Sequence, residues 1–139
     1  MLNIASPKGQ YEDGRYFMIR DATFNDIPDL EELARSIDLF DPHELVMFSN
    51  MLYEHFNAKQ ENQHLIIDDD NMPLGAAYYV SEPFSEGVWN LYFIGVNPQY
   101  QGYGRGSALL TYIEQTLVTR GERLLLVETS SMESFDQVR

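Results

Sequence analysis

The run VNPQYQGYGRGSALL, residues 96–110, sets glycines at alternate positions, Gly102, Gly104 and Gly106, and passes straight into an apolar stretch that favours a helix. Helix starts prefer capping side chains, and a glycine inside a helix costs about 1 kcal/mol relative to alanine. A chain that keeps so much backbone freedom where a helix begins must gain from the missing side chains. A helix start offers unpaired N–H groups and the positive end of the dipole, which together make an anion site. Side chains would hold an anion away, whereas glycines let the backbone reach it. Strand, glycine-rich turn and helix therefore read as a phosphate or pyrophosphate cradle. The alternative is a tight turn with close helix–sheet packing, for which one or two glycines suffice.

The spacing excludes two common cradles. In G-x-G-x-x-G the third glycine comes one residue later than here, and NPQYQ separates these glycines from their strand. No Gly-Lys-Ser/Thr follows, so the Walker pattern fails as well.

Around this loop the pattern alternates between strands and helices. RYFMIR (15–20) reads as a short strand, and NDIPDLEELARSI (25–37) as an amphipathic helix with Ile27, Leu30, Leu33, Ala34 and Ile37 at helical spacing. FDPH breaks the pattern, and a second helix is expected over 44–56. HLIIDDDNMPLGAAYYV (64–80) reads as two strands joined by an Asp/Asn turn. GVWNLYFIGV (87–96) has no clear alternation, so it is expected to be buried on both faces. Its aromatics Tyr92 and Phe93, with Tyr78, Tyr79 and Trp89, are expected to be mostly core. A helix over about 104–120, stopped by Gly121, leads to RLLLVE (123–128), another buried strand. Strand, helix and strand over 88–128 predict a right-handed parallel crossover. Residues 1–14, polar with Pro7, Gly9 and Gly14, read as a mobile leader, and 15–139 as one domain.

Composition narrows the function classes. With 44% hydrophobic and 13% aromatic residues in 139, the chain is globular. It has no cysteine, which excludes disulfides and thiolate metal sites and makes the cytoplasm the default compartment. No apolar run approaches the ~18 residues of a membrane helix, and no membrane partner is expected. A net charge of −13 argues against nucleic acid and is compatible with attraction of a cationic substrate. The charge is uneven: residues 97–123 carry +1 and the remainder −14. HELVM (43–47) lacks the second histidine of a zinc protease motif, His55 and His64 lack ligand partners at metal spacing, and DDDNMP (68–73) reads as a turn rather than a calcium loop. No metal is expected.

The stretch Gln101-Gly102-Tyr103-Gly104-Arg105-Gly106 fits Q/R-x-x-G-x-G/A, and with LYFIGVNPQYQ before it and SALLTYIEQ after it the chain resembles the GCN5-related N-acetyltransferase (GNAT) superfamily over roughly 15–139. The resemblance implies an α/β acyl-CoA N-acyltransferase fold with a mixed central sheet flanked by helices. It implies acetyl-CoA as cosubstrate and direct attack of an acceptor amine on the thioester, with positioning supplying much of the rate. Carried over residue by residue, the backbone of Gln101, Gly102, Tyr103, Gly104, Arg105, Gly106 and Ser107 would hold the pyrophosphate. The backbone of Ile94, Gly95 and Val96 would pair with pantetheine, with the Ile94 N–H toward the acetyl oxygen.

The chain also departs from that pattern. SFDQVR, its last six residues, stands where the family's next helix gets under way, so the last helix, its tyrosine and two further strands are expected to be missing, either from a fragment or from a short form. Glu128 at the end of the fifth family strand is the first candidate for the base, against a solvated strand end. Tyr92 is a second, against core packing. Ser130 could hold a relaying water or cap a helix, and Glu86 could serve or be solvated. The edge over 123–139 is expected to recruit a second copy. The rival functional readings are a catalytically silent acyl-CoA-binding module and a nucleotide-binding protein.

Overall fold

The computed structural model describes residues 8–12, 15–37, 40–58 and 61–126, with side chains placed over 18–37, 40–58 and 61–124. Among the described residues six strands form one sheet: β1 (Lys8–Glu12), β2 (Arg15–Asp21), β3 (Gln63–Asp69), β4 (Pro73–Ser81), β5 (Val88–Val96) and β6 (Arg123–Leu126), paired in chain order. Every pairing is antiparallel except β5 with β6. The parallel pair needs a crossover, which α3 (Arg105–Thr119) supplies, as its amphipathic pattern predicts.

The first strand is a correction. Residues 8–12, read as part of a mobile leader, pair with β2 over five registered positions. Strand pairing is a backbone interaction at a sheet edge, and a polar run such as KGQYE can enter it without a core signal in its side chains.

Two helices cover one face of the sheet. α1 (Ile27–Ser36) follows a 3-10 turn, Phe24–Asp26, in which Asp26 accepts hydrogen bonds from the Thr23 amide and hydroxyl. α2 (Pro42–Ala58) starts two residues before the expected 44: FDPH separates it from α1 as expected, but Pro42 and His43 are already helical. The Glu44 amide donates to Asp41 Oδ1 at 2.7 Å and the Asp41 amide to Glu44 Oε1 at 3.0 Å, a reciprocal cap with Pro42 at the first helical position. Ile27, Leu30, Leu33, Phe48 and Leu52 pack there on Leu65, Ile67, Ala76, Tyr78 and Phe93.

α3 covers the opposite face. Ala108, Leu109, Ile113 and Leu117 pack on Ile19, Ile66, Ala77, Tyr79, Trp89, Leu91, Ile94 and Val96. The helix ends as expected at Gly121 (φ 75°), where the Gly121 and Glu122 amides donate back to Val118 and Leu117 carbonyls.

The irregular pattern of VWNLYFIGV has a definite cause. Between Tyr78↔Phe93 and Tyr79↔Leu91 the register slips by one residue, leaving Tyr92 as a bulge. Trp89 and Leu91 face α3 before the bulge, Ile94 and Val96 after it, so the parity of the strand inverts. The strand is indeed buried on both faces, but Tyr92 is not core: at 46% exposure it is turned out by the bulge, a correction to its reading as a packed aromatic.

At the far end of the α3 face His64 stacks against Trp89 (5.1 Å) and Tyr79 (5.3 Å), and Trp89 Nε1 donates to Glu122. Burial holds the His64 imidazole below its ordinary value, Arg120 and His55 adding to the effect and Asp21 and Glu122 opposing it. The folded state therefore prefers neutral His64. Its contribution is present above the unfolded value of about 6.5 and is lost as pH falls from there through the folded value. Unfolding free energy is expected to drop between pH 7 and pH 5, and denaturant titrations of His64→Asn should show a flatter slope over that window than the native chain.

Candidate functional site

The glycine loop sits where β5 leaves the sheet and α3 begins. Asn97 closes the strand end: its amide donates to Leu74 O, and its side chain caps a 3-10 turn (Pro98–Tyr100) by accepting from the Gln99 amide at 2.9 Å. Gln101 then folds back, Nε2 donating to Val96 O at 3.0 Å, so the glutamine ties the loop to the last carbonyl of β5. Its side chain is thereby engaged in building the loop.

Gly102 and Gly104 adopt φ of 84° and 89°, the left-handed region that only glycine occupies cheaply. Gly106 is different. It lies in the first turn of α3, buried, and is absent from the left-handed set. The alternating glycines thus divide: two shape the turn, and the third lies buried in the first turn of the helix. The turn reading accounts for Gly102 and Gly104.

The first α3 bond across the loop is from Ala108 N–H to Gly104 O at 2.9 Å. Among the described residues no acceptor meets the amides of Gly102, Gly104, Gly106 or Ser107. These donors sit at the positive end of a 15-residue helix, the arrangement that binds anions. Tyr103 is exposed, and Tyr100 stands 5.8 Å from the Arg105 guanidinium.

Arg105, a candidate ligand by position, directs its side chain elsewhere. Nη1 donates to Asp68 Oδ2 at 2.7 Å and Nη2 to Asp70 Oδ2 at 3.2 Å; the arginine side chain is 14% exposed and the Asp68 side chain 0%. Burial pushes the Asp68 carboxyl above its ordinary value, with Arg105 pulling it down and Asp70 and Asp69 pushing with burial. Leaving Asp68 unpaired would cost about 3–5 kcal/mol, more than the roughly 1.5–3 kcal/mol from a new hydrogen bond to a charged group. The guanidinium therefore stays with Asp68, and what Arg105 offers an anion is main chain.

The turn reading of DDDNMP is accordingly incomplete. Asp68 and Asp69 end β3 and are claimed from different sides, Asp68 by Arg105 and Asp69 by Arg20, which also forks onto Asp26 at 2.9 and 3.0 Å. The sequence held a signal for Asp68: it shares parity with His64 and Ile66, which places a carboxylate on the α3 face, where a cation is required.

The strand candidates fall beside this loop. The side chains of Ile94 and Val96 are core, so only their backbone can meet a ligand. Gly95 has no room for more: a Cβ there would lie 2.5 Å from Ile37 Cδ1 and 3.0 Å from the Phe93 ring. The described β5–β6 pairing runs from Val88↔Arg123 to Leu91↔Leu126, and residues 92–96 of β5 extend past it. Tyr92 follows the last described pair, 6.4 Å ring to ring from Tyr78, whose phenol is pushed up by burial and by Tyr92 itself. Glu128 and Ser130, and the 127–139 part of the edge expected to pair with a second copy, lie outside the described residues. Glu86 lies within the exposed β4–β5 turn. No described helix is long and apolar enough to cross a membrane.

Comparison with known proteins agrees with this architecture. No curated protein matches the chain in sequence. Among solved structures, a GNAT-family protein from Desulfovibrio desulfuricans is 27% identical with a TM-score of 0.69, over 79% of this chain and 72% of that one. AAC(6')-Iy bound to a bisubstrate analogue, CoA-S-monomethyl-acetylneamine, aligns with a TM-score of 0.66 at 15% identity, over 83% and 81%. A Brucella melitensis GNAT acetyltransferase in complex with acetyl-CoA aligns at 0.63 and 19% identity, over 81% and 76%. The model of the acetyltransferase (GNAT) family matches residues 27–134, from the first turn of α1 past the end of β6 and across the glycine loop, so the chain belongs to the GNAT acetyltransferase family.

Proposed function

We propose that this chain moves an acetyl group from acetyl-CoA to a primary amine. The observation that carries the reading is the loop: two left-handed glycines and a buried third at the start of α3, where no described acceptor meets the amides of Gly102, Gly104, Gly106 and Ser107. In this reading the amides of residues 102–107 hold the pyrophosphate, and the backbone of Ile94, Gly95 and Val96 lies along pantetheine. The Ile94 N–H polarises the thioester carbonyl. The amine nitrogen attacks the carbonyl carbon, the C–S bond breaks, and the sulfur leaves as thiolate and ends as thiol by taking up a proton. Glu128 accepts the proton released by the amine, Ser130 holds a relaying water, and Tyr92, the exposed phenol at the β5 bulge, serves as acid or base on the acceptor side. The net charge of −13 favours a cationic acceptor, in keeping with the aminoglycoside-derived ligand of AAC(6')-Iy.

Binding is tested first. At acetyl-CoA tenfold above its Kd, the chain is expected to gain about 1.4 kcal/mol of stability, read as a rise in Tm. A folded protein with no shift at millimolar acetyl-CoA would sink the reading. Release of free thiol with a panel of polyamines, aminoglycosides and amino-terminal peptides tests transfer; tight binding without turnover would leave a silent acyl-CoA-binding module instead.

A further inference from the structure

We propose that Asp68 is a positioning residue for the pyrophosphate loop: from the end of β3 its buried carboxylate holds Arg105, between the second and third glycines, and so sets the amides that receive the anion. The proposal rests on the reading of this loop as the coenzyme cradle.

Arg105 is the only cation between residues 96 and 107. An arginine beside a phosphate site would ordinarily be assigned to the phosphate. Here the guanidinium bridges Asp68 and Asp70, one on β3 and one in the β3–β4 turn, with Asp68 wholly buried. The fork therefore joins the loop to the hairpin on the other side of the sheet centre. Flanking it are Gly104, at φ 89°, and Gly106, neither of which has side-chain atoms to hold the loop in place. Gln101 anchors the loop at its start, through Val96 O, and Arg105 anchors it at its end. Two side-chain tethers compensate for the backbone freedom that the glycines bring, so the amides are held in place before the ligand arrives. The hairpin is in turn held by Arg20 across Asp69 and Asp26, so the tether ends on a fixed point.

The charge arithmetic makes the idea falsifiable in direction. Asp68 carries a negative charge near a site for an anion. If its effect were simple repulsion, Asp68→Asn would tighten coenzyme A binding. If it positions the loop, the same change weakens it. The expected result is a roughly tenfold rise in the Kd of coenzyme A for Asp68→Asn, measured by calorimetry. Binding of S-acetylpantetheine, which has the thioester arm but no phosphates, is expected to change less than twofold by NMR titration. General damage to the fold would weaken both ligands together. Arg105→Gln should show the same selective loss. The double variant should be no worse than the worse single, because each residue acts through the other. Should Asp68→Asn not fold, Arg105→Lys carries the test: it keeps a charge opposite Asp68 but cannot span both aspartates, and a selective loss for coenzyme A is again expected.

The outcomes separate the two ideas. If the native chain binds coenzyme A no more tightly than S-acetylpantetheine, the loop does not hold phosphates, and the cradle reading falls together with this proposal. If the native preference is strong and is unchanged or increased in the folded variants, the cradle stands and the positioning role is overturned. Additive losses in the double variant would overturn it as well.

Discussion

Gly106→Val is expected to weaken coenzyme A binding by about a hundredfold, roughly 2.7 kcal/mol, in a chain that still folds. Gly106 is the informative glycine. At Gly104, with φ 89°, a branched side chain strains the turn whatever the turn binds. Gly106 has ordinary helical backbone, so a side chain there alters the space at the helix start rather than the backbone path. Gly106→Ala, which fits the G/A alternative of the motif, is the control and is expected to keep most of the affinity. Calorimetric titration of coenzyme A checks both variants, with the unliganded Tm as the test of folding. Native affinity in a folded Gly106→Val would mean that the third glycine serves packing alone.

Leu109→Ala is expected to cost about 2–5 kcal/mol of stability and to lower Tm by roughly 10 °C. Leu109 is fully buried one turn into α3, and its Cδ1 occupies the space over Gly75, 3.2 Å from where a Cβ on that glycine would lie. That contact seats the start of the helix on the sheet. Its loss leaves a cavity that neither Gly75 nor the Gly95 carbonyl beside it can fill. Because the helix start is also the proposed anion site, coenzyme A affinity should fall with the stability, and saturating ligand should restore part of the Tm. Chemical denaturation with and without coenzyme A measures both effects. A variant within 1 kcal/mol of the native chain would show that α3 is held chiefly by Ile113 and Leu117.

Several features of this protein were determined by local chemistry, and the sequence by itself carries them. Helical spacing in α1 and α3, a glycine stop at 121 and a turn at Asp70-Asn71 between two strands all depend on residues within a few positions of one another. The glycine loop belongs to this class, because φ preference and the absence of a side chain are properties of the residue. Pro42 is a local case too: it opens α2, because Asp41 and Glu44, three residues apart, cap the helix start reciprocally.

Tertiary structure alone decided the rest, and in each case the reason is a partner distant in the chain. The strand at 8–12 exists because β2 offers it an edge, and Tyr92 is exposed because β5 slips one register against β4. Arg105 turns from the proposed anion site because Asp68, 37 residues away, is buried on the same face and has a charge to be paired. Composition and periodicity place each of these residues on an element. Which side chain a buried charge must find depends on which elements the fold brings together, since the cost of leaving it unpaired appears only once water has been excluded.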